Sequence, residues 1–303
     1  MIPPERDPLG AIMPLRDYLH STSMLSGIVG ASFLSVFSVQ AADGPIAPPA
    51  SPPPVALPAV DGINYKFDVL GGSLAEEGFG GVRGAVSVPL GTQYGLQIDG
   101  VATGYDGDFL GAVAGHLFWR NPVVGLLGIY GSHLHWDRYG GLHTNRVALE
   151  AEYYQGAWTF TAVLGAESGN SKSRISGGVI DTISVDSRFY DIVDIHYYYN
   201  ENARVSIGHR YLGGKHALAL GAEWSKPIAP RTLGSLFVEG RVGEDDYKSI
   251  FAGLRVYFGN SDKPLIRRHR EDDPFITEPE ARHSFNHKSS PFDDGDDGGD
   301  DGG

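Results

Sequence analysis

Two sets of side chains in this 303-residue chain have types and spacings suited to hydrolysis. Asp106 and Asp108 form an Asp-x-Asp pair, and Asp194 and His196 form an Asp-x-His pair. A carboxylate pair and an acid-paired imidazole, if brought together, could act as general bases on a water. Each set also has a plainer reading. Tyr105-Asp106-Gly107-Asp108 has the composition of a turn. Asp194 and His196 bracket Ile195, so they fall on the polar face of an alternating strand. A hydroxyl nucleophile paired with histidine is missing: the chain has no His-x-Ser, and His209 is followed by Arg210 and Tyr211. His133, His135 and His143 flank one loop, but a metal site would need them to converge with a fourth ligand, and none is assigned. The Asp-Gly run over 293–303 lacks the spaced ligands and anchoring glutamate of a calcium loop. No cofactor and no catalytic group is expected.

The segments that would position these residues alternate with period two. In 247–258, Ile250, Ala252, Leu254, Val256 and Phe258 share one face, while Ser249, Gly253, Arg255 and Tyr257 share the other; Phe251 breaks the pattern. In 146–154, Val147, Leu149, Ala151 and Tyr153 oppose Arg146, Glu150 and Glu152. Such alternation between turn signals marks strands with two different environments. Twelve strands are predicted, over 62–71, 79–90, 93–104, 107–120, 122–136, 142–155, 157–168, 187–199, 202–212, 214–225, 232–243 and 246–258. The polar faces carry Asp99, Arg146, Glu150, Glu152, Arg204, Arg210, Glu223, Glu239, Arg241 and Arg255, all expected to line a lumen.

Composition and termini set the compartment. The chain has no cysteine, 42 glycines and a formal charge of −13, which argues against a disulfide scaffold, a cysteine–zinc site and nucleic-acid binding. Residues 260–303 carry −6 of that charge and 62–259 only −4. Residues 1–41 read as a signal peptide, with the apolar run Met24 to Val39 and cleavage after Ala41. Residues 42–61 read as a proline-rich linker. The barrel is predicted over 62–259, and 260–303 as an acidic disordered tail. Prolines 89, 122, 227 and 230 fall in or beside the second, fourth and tenth turns, all on the side of the chain ends. The one long connection, 168–186, lies on the opposite side. Short turns at one rim and long loops at the other are the habit of membrane barrels. Aromatics near the strand ends, including Trp119, Trp136, Tyr153, Tyr154, Trp158, Tyr197, Tyr198, Tyr199, Trp224, Tyr257 and Phe258, suggest interfacial girdles.

At this point the chain resembles a Gram-negative outer-membrane β-barrel of the porin-like, small-barrel type. Gly253-Leu254-Arg255-Val256-Tyr257-Phe258 is similar to the closing strand of such proteins. The stretches 88–100 (VPLGTQYGLQIDG), 116–122 (HLFWRNP), 206–223 (SIGHRYLGGKHALALGAE) and 265–274 (LIRRHREDDP) resemble uncharacterised alphaproteobacterial envelope proteins. The resemblance covers 62–274. In typical barrels the closing aromatic ends the chain, whereas here 45 residues follow Phe258. The resemblance implies an all-β, antiparallel up-and-down transmembrane barrel of 10–12 strands in a Gram-negative outer membrane. Its implied partners are outer-membrane lipid, lipopolysaccharide and the barrel-assembly machinery, the last through strand 246–258. The expected function is a non-enzymatic narrow passive pore or structural envelope protein. The alternatives are an omptin-like surface protease using Asp106, Asp108, Asp194 and His196, and an adhesin-like binding protein acting through the 168–186 loop.

Overall fold

The computed structural model describes residues 57–245, 247–272, 274–275 and 283–292. The expected signal peptide, most of the linker and the Asp-Gly run therefore lie outside the described residues. Twelve strands close into one antiparallel barrel: β1 (Asn64–Leu74), β2 (Glu77–Leu90), β3 (Tyr94–Tyr105), β4 (Asp108–Asn121), β5 (Gly125–Trp136), β6 (Leu142–Gln155), β7 (Trp158–Gly169), β10 (Arg188–Asn200), β11 (Ala203–Leu212), β12 (Lys215–Ala229), β13 (Thr232–Gly243) and β14 (Lys248–Phe258). Every barrel strand pairs with its neighbour in sequence, and β1 pairs with β14 from Tyr65↔Phe258 to Leu74↔Ser249. Closure leaves no unpaired edge in the wall, as a structure crossing hydrocarbon requires.

The alternation read from the sequence decides which way each side chain points. On β14, Ile250, Leu254 and Phe258 are exposed outward, whereas Phe251 and Tyr257 are buried in the lumen. Phe251, the exception in the pattern, packs edge-on against Phe79 and Phe237. On β6, Val147 and Leu149 face out, and Arg146 and Glu150 face in. The wall is thus inverted relative to a soluble domain, with apolar side chains exposed and charges buried. The rim where β1 begins and β14 stops, that of the barrel's chain ends, has a belt of outward aromatics that includes Tyr65, Tyr94, Tyr153, Trp158, Tyr197 and Trp224.

Four of the expected girdle residues are corrected. Tyr154, Tyr198 and Tyr257 are buried inward, because consecutive strand residues alternate and each belongs to a run with an outward neighbour. Trp136 also turns inward, against Tyr105 and Phe285.

Two further short strands, β8 (Ser171–Ser176) and β9 (Val179–Ser184), form a hairpin within the 168–186 loop. Its turn is Gly177-Gly178, both at positive φ (60° and 74°), the geometry a two-residue hairpin demands and glycine supplies without strain.

The expectation of a disordered tail over 260–303 is corrected for the described part of it. Beyond β14, Leu265–Glu271 form a seven-residue helix, α1, at the rim of the chain ends. Asn286–Pro291 form β15, which pairs antiparallel with β9 at the opposite rim. The physical reason is that this segment buries Leu265 and Phe285 against inward side chains of the wall while pairing its own charges, Lys263 and Arg268 with Asp272.

Candidate functional site: the occupied lumen

The lumen has three layers, and each is built by the inward faces of the strands. At the far rim the layer is apolar. Leu70, Leu74, Tyr105, Leu134, Trp136 and Phe251 form it with Ile183 of the β9 strand and Phe285 of the C-terminal segment.

The middle layer is ionic. Arg255 clamps Asp68 with two parallel hydrogen bonds, Nε to Oδ1 at 2.7 Å and Nη2 to Oδ2 at 2.8 Å, and Arg83 also donates to Asp68. Glu223 accepts from Ser235 Oγ at 2.7 Å, Tyr257 Oη at 2.8 Å and Arg204 Nη2 at 3.0 Å. His116 lies between two carboxylates, 2.7 Å from Glu150 and 3.1 Å from Asp99. Arg210 pairs with Asp194 at 3.0 Å and with Glu239 at 3.4 Å, and Arg241 reaches Glu239 at 2.8 Å. Nearer the far rim, Arg146 pairs with Glu167 at 3.5 Å. Glu152 accepts from Tyr154 Oη at 2.6 Å. Charges removed from water this completely are tolerable only when paired and hydrogen-bonded, and the layer meets that condition by interleaving both signs.

The third layer closes the rim of the chain ends. Ala59 and Val60 are buried, with Val60 against Phe118 and Leu126. Buried Lys263 reaches Asp61 at 3.0 Å, Glu271 at 3.3 Å and Asp272 at 2.5 Å, so one ammonium ties the incoming strap to the outgoing helix. The Lys263 hydrogen bond holds the Asp61 carboxyl below its ordinary value. From α1, Arg270 donates to the carbonyls of Gly156 and Trp158 and to Thr159 Oγ1. His269 points into the barrel, with Nδ1 2.7 Å from Tyr198 Oη and Nε2 2.8 Å from Tyr257 Oη. Burial, with Arg204 close by, pushes the His269 imidazole well below its usual pKa, against the pull of Glu223.

The ten residues expected to line the lumen all point into these networks. The hydrolytic constellation does not assemble. Asp106 and Asp108 sit at the β3–β4 turn and pair with Arg138 at 2.8 and 3.2 Å. Asp194 is held by Arg210, and His196 is stacked on Phe275, 4.7 Å between ring centres. His133 stacks on His143 and bonds Asn145, while His135 bonds Asp137; among the described residues no group is arranged to hold a metal ion.

Sequence reasoning missed the groups contributed by the tail. The Pro274 carbonyl accepts from Lys66 Nζ at 2.9 Å, Phe275 lies under the Arg204 guanidinium, and Ser284 Oγ accepts from Arg146 at 2.7 Å. It also passed over His116, which the period of β4 places in phase with inward Phe118 and Arg120.

A membrane-protein chain from work on the mechanism of in-meso crystallization overlays with a TM-score of 0.50 at 11% identity, covering 75% of this chain and 99% of that one. The fold is a closed, antiparallel, twelve-stranded transmembrane β-barrel. The COG4313 outer-membrane channel from Pseudomonas putida F1 gives 0.46 at 10% identity, with 69% and 99% covered. The KdgM porin gives 0.43 at 8% identity, with 64% and 99% covered. Identities this low speak to fold alone. No family model matches the chain, and no curated protein sequence matches it.

Proposed function

We propose that this chain is a non-enzymatic barrel of a Gram-negative outer membrane, a structural envelope protein with a closed lumen rather than an open passive pore. One observation carries the reading: the inward face pairs its own charges, and described residues of the C-terminal segment lie in the bore, Pro274 and Phe275 towards one rim and Ser284 and Phe285 towards the other. A cavity among Arg83, Asp194, His196, Arg204, Arg210 and Phe275 measures about 70 Å³, room for only a few waters. A selective pore would instead present one dominant sign of charge along an open path. The outward apolar faces fit lipid and lipopolysaccharide acyl chains, with the 168–186 hairpin at the outer surface, where long loops of such barrels lie. The alternating face of β14 suits recognition by the barrel-assembly machinery.

The test is refolding of the full chain into a planar bilayer. Electrical silence is expected, and steady stepwise conductance overturns the closed-lumen reading. A dibasic peptide should remain uncut by the refolded protein, because the carboxylates of the protease alternative are separately paired.

A further inference from the structure

The described parts of the C-terminal segment make contacts towards both ends of the lumen, in chain order. It leaves β14 at the rim of the chain ends, where the Ile266 amide donates to the Glu201 carbonyl at 3.1 Å. Pro274 and Phe275 lie deeper, on Lys66, Gln97, His196 and Arg204. His283 stacks on Tyr247 at 3.9 Å between ring centres, beside the β13–β14 connection. Ser284 joins Arg146 and Glu167, and Asn286 donates to the Gly213 carbonyl at 3.1 Å in the β11–β12 turn. Those last two connections belong to the far rim. Phe275 and His283 are eight residues apart, a reach of at most about 27 Å, which matches the ~25 Å apolar band of such barrels. Gly213 has the mark of this route: φ is +63°, and a Cβ there would run into the His283 carbonyl oxygen.

We propose that the barrel carries the segment after β14 through the lumen and displays it at the outer face, with β15 docked on the β8–β9 hairpin. The function added is surface display of the three-stranded sheet β15–β9–β8, one strand of which comes from the far side of the barrel. It rests on the outer-membrane orientation proposed above. The route reverses the usual arithmetic, since an even-stranded barrel returns its chain to the inner side after β14, and the threaded segment then makes one more crossing.

The chain lacks cysteine, so single cysteines can be labelled without background. Whole cells carrying Lys288→Cys (β15), Ser173→Cys (β8) or Glu201→Cys (β10–β11 turn), each at an exposed position, are treated with a membrane-impermeant maleimide before and after outer-membrane permeabilisation. The expected result is that Lys288→Cys labels on intact cells as fully as Ser173→Cys, while Glu201→Cys labels only after permeabilisation. Lys288→Cys protected where Ser173→Cys is open overturns the threading and leaves the barrel orientation standing. Glu201→Cys open where Ser173→Cys is protected means the orientation itself is reversed, and the display proposal falls with it. Lys288 and Thr182 are register partners, so the double variant Lys288→Cys/Thr182→Cys should oxidise to an internal cross-link. Its absence, with the barrel folded, also overturns the threading.

Discussion

Arg255 and Lys248 sit on the same strand and show how far burial alone changes the worth of an ion pair. Arg255 is bidentate to buried Asp68 and also reaches Tyr257 Oη at 3.1 Å. Lys248 faces Glu76 across 3.5 Å with both side chains more than half exposed. Replacing Arg255 by Met leaves buried Asp68 with Arg83 alone and takes a partner from buried Glu223, and should cost about 3–5 kcal/mol. Lys248→Met should cost less than about 1 kcal/mol. Urea unfolding of the refolded proteins, followed by tryptophan fluorescence, gives both values; equal losses would contradict the buried clamp. His269 brings a pH dependence of a stated sign. Its folded-state pKa is depressed by burial and by Arg204, whereas an undocked imidazole takes a proton near pH 6.5. Docking of α1 is therefore fully retained above about pH 6.5 and weakens as pH falls below it, because only the undocked form gains the proton. Proteolysis of the α1 segment should speed up between pH 7.5 and pH 5, and His269→Phe should flatten that dependence.

The strands were legible because each carries two environments in strict alternation, and the wall of a barrel has no other way to satisfy them. The strand set read from the sequence matches the twelve barrel strands, with ends displaced by up to four residues, as at Ala229. The elements that fill the lumen were not legible. α1 has seven residues and β15 has six, too short for any period to show, and what fixes them is remote in sequence: Arg270 on the β6–β7 turn, Ser284 on Arg146, Phe285 on Trp136. The inward aromatics were misjudged for a related reason. A run such as Tyr197-Tyr198-Tyr199 reads as one cluster, but the pleat splits it between lipid and lumen. Gly213 tests the docking of the final element. Gly213→Val imposes both a strained φ, at about 1–2 kcal/mol, and a collision with the His283 backbone. Gly156→Val imposes a similar strain at φ +55° with no neighbour within 4 Å. The first variant should expose the β15 segment to protease and the second should not; equal sensitivity in both would show that strain alone accounts for the effect.

At the scale of the molecule, the wall and the thread through it are separable in stability. The wall is closed by pairing around the whole ring, so its strands should unfold as one unit, while the segment after Phe258 is held by side chains and six β15–β9 register pairs. A chain ending at Gly259 should still fold and run faster unboiled than boiled on a gel. In a planar bilayer it should show conductance steps where the full chain is silent; silence from both would mean that the wall's own ion pairs suffice to close the bore. Lys263, tied to three carboxylates from both sides of the closing seam, acquires a mechanical meaning in this arrangement. In the threaded arrangement proposed above, tension applied beyond β15 arrives at α1, whose Arg270 grips the β6–β7 turn and whose neighbour Lys263 grips Asp61 of the strap before β1. A helix of about 10–12 Å diameter with its side chains lodged at a filled bore acts as the stopper knot on a rope. Load is spread over the rim, and the hairpin at the opposite end can give way without the tether being lost.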